Sequence, residues 1–236
     1  MTNEDEAPER LNADRDVHGI WAASRALIVS LACSALLLIL FAWLSDSVFE
    51  GELRRFDLSV RTKVHEFFSP HLTAFMQDMT FLGSVGFLTA VFAIIVVAWL
   101  VKGMKRPAAW LAIAVGGSVI LDVSLKLSFH RARPVPFVGA APMTYSFPSG
   151  HALSSFCFYG VLAGLLCSRI QSRLLRVLIW SVAAALVLAI GLSRVYLGVH
   201  YPTDVIAGYI AAAAWVSTLL FAARAMPSGK FRQMKA

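Results

Sequence analysis

Charge is scarce in these 236 residues: Asp, Glu, Lys and Arg together make up only 15%. Hydrophobic residues fill 58%, and mean hydropathy is +0.69. That balance excludes an ordinary soluble domain and points to a membrane. Cysteine is also rare. Cys33, Cys157 and Cys167 lie inside apolar runs, at spacings that suggest neither a metal cluster nor a disulfide framework, which leaves them as small packing residues. The net charge of +7 comes without any zinc-finger or RNP-like pattern, and its basic residues sit between apolar runs. Nucleic acid is therefore not the expected partner.

What is present is a series of apolar segments, each about long enough to cross the hydrocarbon core. They are Ala26–Leu44, Val85–Val101, Ala108–Leu127, Ala152–Ser168, Leu174–Leu192 and Val205–Ala223. The first is too long for a signal-peptide core, and no small-residue cleavage pattern follows it. The expected fold is all-α, a polytopic membrane protein with six transmembrane helices. Residues 1–25 and 225–236 read as cytoplasmic tails, the first of them flexible, around a membrane domain over 26–224. Orientation follows from the basic residues. Lys102, Lys105 and Arg106 occupy one short loop and Arg169, Arg173 and Arg176 another, so both termini are expected inside.

Eight basic residues then fall on the outer side. Arg54, Arg55, Arg61 and Lys63 lie in segment 46–84, offset by acidic residues that include Asp57. There Leu53, Phe56, Val60, Val64 and Phe67 recur at helical spacing, as do Leu72, Phe75, Met76 and Met79. These predict amphipathic interfacial helices between the first and second spans, serving either as a cap over the bundle or as a guide for substrate.

The remaining four, Lys126, Arg131, Arg133 and Arg194, cluster around two outer loops with three short motifs. Lys126 to Arg133-Pro134 closes the third span. Pro148-Ser149-Gly150-His151 opens the fourth. Ser193-Arg194 to His200 and Asp204 joins the fifth to the sixth. Cations beside hydrocarbon are costly and commonly mark an anion site, and Lys and Arg suit phosphate oxygens. Singly, each has a plainer reading: Lys126 as the helical partner of Asp122, Arg194 as a dipole complement, Arg133 as an extended loop residue. Ser149 could be an ordinary N-cap, but it could also donate to an anion where Gly150 lets backbone N–H groups approach. A cap does not explain His151 at the membrane edge. Pro202 suits the first turn of a helix, which brings the Asp204 carboxylate back toward His200. A carboxylate on one imidazole nitrogen fixes the tautomer and frees the other lone pair.

These motifs resemble the signature of the type 2 phosphatidic acid phosphatase superfamily: Lys-x6-Arg-Pro, Pro-Ser-Gly-His and Ser-Arg-x5-His-x3-Asp. Every fixed position is met, in order, within residues 126–204, and the helix pattern extends the resemblance over roughly 26–223. The resemblance implies a metal-independent lipid phosphatase that requires no cofactor. It implies His200 as nucleophile through a phosphohistidine, Asp204 orienting it, and His151 as the acid for the leaving alkoxide. Lys126, Arg133, Ser149, Gly150 and Arg194 would hold the phosphate. The motif loops also lack the carboxylates a magnesium site would need.

Two other classes compete. Vanadate-dependent haloperoxidases share this kind of pocket but are typically soluble, and a non-enzymatic lipid transporter would not need the histidines. The expected partners are a lipid phosphate substrate and membrane lipids, with no obligate protein partner. Phosphatidic acid, phosphatidylglycerol phosphate, undecaprenyl diphosphate and a lipid A phosphate all present the same phosphoryl group, and the motifs do not choose among them. Selectivity is expected from residues 46–84 and Val135–Ser146. The expected location is a bacterial inner membrane, with the site facing the periplasm.

Overall fold

A computed structural model describes residues 6–140 and 143–225, with side chains described for 27–140 and 143–223. The described residues are all helix and loop. In chain order the helices are α1 (Glu6–Phe49), α2 (Arg54–His65), α3 (Pro70–Leu82), α4 (Val85–Val101) and α5 (Lys105–Phe129). Then follow α6 (Gly150–Ser155), a π-helical turn (Phe156–Gly160), α7 (Val161–Cys167), α8 (Arg173–Tyr196) and α9 (Pro202–Ala225).

Five stretches are long and apolar enough to cross a membrane: Leu27–Phe49 of α1, α5, the continuous Gly150–Cys167, α8, and Pro202–Ala223 of α9. The helices α3 and α4 supply a sixth if their pair, bent by 48°, is taken as one broken span. Large side chains such as Leu38, Trp43, Ile94, Ile120 and Leu188 stand exposed along these helices. A lipid environment accounts for such a surface, which water would not tolerate.

Most of the helices run past their apolar segments, and polar residues cap several of the starts. Ser69, Ser84 and Ser172 accept bonds from Leu72, Phe87 and Leu175 N–H at the starts of α3, α4 and α8, each 3.3 Å long. The largest extension is in α1, which begins at Glu6, so the stretch read as an N-terminal tail is helical from there. Ala, Leu, Glu and Arg favour that state, and Pro8 falls in its first turn. The C-terminal tail, from 226 onward, lies outside the described residues.

α2 turns inward only part of the expected apolar face and adds polar residues to it. Asp57, Val60, Arg61 and Val64 turn toward the protein, while Phe56 and Phe67 stand exposed. Polar bonds decide this face: Asp57 is 1% exposed and accepts from Thr203 N at 3.0 Å. In α3, Met76 is buried beside Tyr196, Leu197 and Val199, and the Tyr196 hydroxyl meets Thr73 at 2.9 Å and takes the Ser69 N–H at 3.2 Å. The elbow between α3 and α4 is held by Tyr159, whose hydroxyl donates to Leu82 O at 2.9 Å. Small residues bring helices close. A Cβ on Gly208 of α9 would stand 2.7 Å from Ser149 O, so glycine lets α9 lie directly against the start of α6. An aromatic group of Phe41, Phe49, Phe129 and Phe147 packs α1 against the loop that carries the second motif.

Candidate active site

The three motifs meet at one pole of the bundle, where α5 ends, α6 and α9 begin and α8 ends. Local geometry explains the spacing of the third. α8 stops because Gly198 adopts φ +78°, a conformation open to glycine, and a Cβ there would stand 2.6 Å from Phe137 N. The chain turns back so that the Val199 and His200 N–H groups both donate to Arg194 O, at 3.1 and 3.3 Å. Pro202 then opens α9 and places Asp204 in its first turn.

His200 is 1% exposed and Asp204 is fully buried. His200 Nδ1 lies 3.4 Å from Asp204 Oδ2 and 3.5 Å from Ser146 Oγ. Its Nε2 lies 2.9 Å from Arg133 Nη1. A guanidinium only donates, so Nε2 accepts, and the ring proton belongs on Nδ1 beside the carboxylate. Burial pushes the His200 pKa down to about 4, with Asp204 opposing the shift and Arg133 and Arg194 adding to it. The ring is thus neutral around pH 7, with a lone pair on Nε2.

Asp204 is well anchored. Arg131 Nη1 donates to Oδ1 at 2.5 Å, Tyr201 N–H donates to Oδ2 at 2.8 Å, and the Ser146 hydroxyl donates to Oδ2 as well. Ser149 N–H donates to its backbone carbonyl at 2.9 Å, joining the second and third motifs.

Arg133 is held by Thr144 O (2.6 Å), Thr144 Oγ1 (2.8 Å) and Val199 O (2.9 Å), which fixes the plane of its fork. Burial lowers its pKa while Asp204 and Asp122 oppose the shift. Arg194 is 7% exposed and donates to Thr80 Oγ1 of α3 at 2.5 Å. Lys126 pairs with Asp122 at 2.7 Å, so the helical pair expected from their spacing is present inside the cluster. A Cβ on Gly150 would stand 2.8 Å from Asp122 Oδ1 and 2.9 Å from Lys126 Nζ, which puts the start of α6 against that pair. His151 follows directly and lies within electrostatic range of Arg194, His200, Lys126 and Arg133. Gly83 lets the α3–α4 elbow approach it, since a Cβ there would be 3.3 Å from His151 Cδ2.

Four buried side-chain atoms have no partner among the described residues, Arg61 Nε, Asp122 Oδ1, Ser149 Oγ and Arg194 Nε, and of these Ser149 Oγ and Arg194 Nε are donors on motif residues. Ser149 makes no capping bond with its side chain, so its hydroxyl is not committed to α6. Unpaired buried donors beside a guanidinium cluster fit an anion with several acceptor oxygens. Among the described residues no three His, Cys, Asp or Glu side chains gather as metal ligands.

The structure therefore brings together Lys126, Arg133, Ser149, Gly150, His151, Arg194, His200 and Asp204. It also adds residues that no motif marks. Thr80 holds Arg194, Thr144 holds Arg133, and Ser146, Arg131 and Asp57 stand behind Asp204. Thr144 and Ser146 show that part of the stretch Val135–Ser146 builds the site itself.

Several known proteins are similar to this chain. The chain is 31% identical over 143 residues to phosphatidylglycerophosphatase B of Bacillus subtilis, a match covering 59% of this chain and 70% of that protein. It is 36% identical over 122 residues to lipid A 1-phosphatase of Rhizobium johnstonii, covering 47% of this chain and 45% of that protein, so it spans under half of this relative. The crystal structure of the PAP2 type phosphatidylglycerolphosphate phosphatase from Bacillus subtilis superposes with a TM-score of 0.70 at 25% identity, over 85% of this chain and 96% of that one. The family model described as PAP2 superfamily matches residues 107–226, which hold all three motifs, and the chain belongs to that superfamily.

Proposed function

We propose that this chain, a membrane lipid phosphate phosphatase of the PAP2 superfamily, removes a phosphate from a lipid in two displacements through a phosphohistidine at His200. The observation that carries this reading is the placement of His200 between Asp204 on Nδ1 and Arg133 on Nε2, with a second histidine, a lysine and a second arginine close by. Binding alone needs cations but not a buried, neutral, oriented imidazole.

In the first step the phosphoryl group takes the place of Nε2 as partner of Arg133. Arg133, Arg194, Lys126, the Ser149 hydroxyl and the Gly150 N–H neutralise the charge on its equatorial oxygens. The Nε2 lone pair forms the N–P bond as the P–O bond to the lipid breaks, and His151 gives a proton to the departing alkoxide. The phosphorylated His200 is cationic, and Asp204 stabilises it through Nδ1–H. In the second step water attacks phosphorus, His151 takes its proton, and the N–P bond breaks. Inorganic phosphate leaves, and both histidines return to their starting states.

The substrate class is a phosphomonoester or diphosphate on a membrane lipid. Similarity to a phosphatidylglycerophosphatase over 70% of its length supports a glycerophospholipid monophosphate as the first to test. The basic residues of the short loops Lys102–Arg106 and Arg169–Arg173 support termini on the cytoplasmic side and a site on the opposite face. The test is phosphate release by purified protein from phosphatidylglycerol phosphate, phosphatidic acid, a polyprenyl diphosphate and lipid A. Release from at least one, fastest from phosphatidylglycerol phosphate, is expected. No release from any of them would overturn the reading.

A further inference from the structure

Behind Asp204 lie two largely buried charges, Asp57 and Arg131, that neither the fixed motif positions nor the mechanism above uses. Asp57 of α2 accepts from Arg131 Nη2 at 2.8 Å, and Arg131 Nη1 donates to Asp204 at 2.5 Å. Asp57 also takes the Thr203 N–H at 3.0 Å and the Thr203 hydroxyl at 2.7 Å, and Thr203 Oγ1 is in turn 2.9 Å from Arg131 Nη1. The Arg131 guanidinium lies 4.3 Å from the centre of the Tyr201 ring. Asp57 is the buried residue of an otherwise polar helix, and an ionised carboxylate is costly to bury unless it is paired. A surface helix that only covered the bundle would have no need of it.

We propose that Asp57 and Arg131 are positioning residues for the catalytic pair, with Asp57 holding Arg131 so that Arg131 fixes the place and charge of the Asp204 carboxylate. This makes α2, the helix between the first span and the site, part of the support of His200. The idea rests on the reading of His200 as nucleophile. The two charges act on His200 with opposite sign. Asp57 offsets Arg131; without it the arginine draws more strongly on Asp204, and His200 holds its proton less tightly. Without Arg131, two carboxylates face the ring, and His200 holds its proton more tightly. The other charged groups around His200 stay constant: Arg133 of the loop, Arg194 of α8 and His151 of α6, with Lys126 and Asp122 of α5 beside these and Arg61 of α2 near Asp57.

The experiment is phosphate release against pH for the wild-type chain, Asp57→Asn, Arg131→Gln, Arg131→Lys and the Asp57→Asn/Arg131→Gln double variant, with His200→Ala in parallel. In Asp57→Asn the acidic limb of kcat is expected to move to lower pH, and in Arg131→Gln to higher pH, each by about half a unit or more. The double variant should return toward the wild-type limb. Arg131→Lys keeps the charge without the fork, so its limb should stay in place while kcat falls. The single variants should lose about tenfold to a hundredfold in kcat, with KM changed less than kcat. If Arg131→Gln does not fold, Asp57→Asn and Arg131→Lys decide the matter. Variants that lose stability or kcat with every limb unmoved overturn the proposal and leave a structural salt bridge. Full activity in His200→Ala would instead overturn the reading on which it rests.

Discussion

Arg133 Nη1 stands 2.9 Å from His200 Nε2, on the ring nitrogen that Asp204 does not reach. The guanidinium covers the lone pair proposed to attack phosphorus. A phosphate entering the site therefore exchanges one partner for another: Arg133 gives up Nε2 and takes phosphate oxygens. The remaining bonds of Arg133, to Thr144 and Val199, keep its fork in place during that exchange.

This arrangement sets the pH dependence. His200 must be neutral to attack, and burial has moved its pKa down to about 4. A lowered pKa favours the neutral ring, so activity should persist below the usual histidine range and fall only as pH approaches that value. The alkaline limb belongs to the substrate complex, where the charge of the bound phosphate offsets the cations around His151 and lets it hold the proton it gives up. A kcat/KM profile over the acid and neutral range, which reports His200 of the free enzyme, checks this. An acidic limb at or above the ordinary histidine value of about 6.5 would contradict the assignment.

Gly150 should be intolerant of a side chain for a local reason. An Ala Cβ would crowd the Asp122 carboxylate and Lys126 Nζ, each within 2.9 Å. Both are side-chain ends that can move aside, so Gly150→Ala should fold while displacing Lys126 from the site. A loss of about tenfold to a hundredfold in kcat/KM is expected. Gly86→Ala is the control, since a Cβ there meets nothing within 4 Å, and its activity should match wild type. Steady-state kinetics on both variants, with gel filtration in detergent, decides the point.

His151 separates two substrates. An alkyl phosphate needs a proton for its leaving group, whereas an aryl phosphate with an acidic phenol does not. In His151→Ala, release of lipid alcohol should fall by at least about 10²-fold. A p-nitrophenyl phosphate ester should still give a burst of phenol, followed by slow turnover as the phosphohistidine waits for water. Stopped-flow absorbance measures the burst. Equal losses on both substrates, without a burst, would remove His151 from the acid role.

Much of this architecture was legible in the sequence. Hydropathy marks helices because lipid leaves the backbone few alternatives, and Val85–Val101 matches α4 end to end. The three motifs were legible because each is short, and one turn of chain fixes its geometry: Gly198 aims His200, and Pro202 aims Asp204. The supporting residues were not. Asp57 and Arg131 are 74 residues apart, and Thr80 and Arg194 are 114 apart. No local pattern joins such pairs. Asp57 was also hidden by its setting, one acid among many in a polar segment, although Val60 and Val64 of the apolar pattern turn inward with it.

His200→Ala is the most direct test of the nucleophile. The variant should fold, as judged by gel filtration and circular dichroism in detergent. Phosphate release from the best lipid substrate should fall by at least about 10⁴-fold, with no acid-labile phosphoenzyme trapped on rapid quench. A folded variant that keeps a tenth or more of wild-type turnover, or that still traps phosphate on the protein, would show that another group attacks phosphorus.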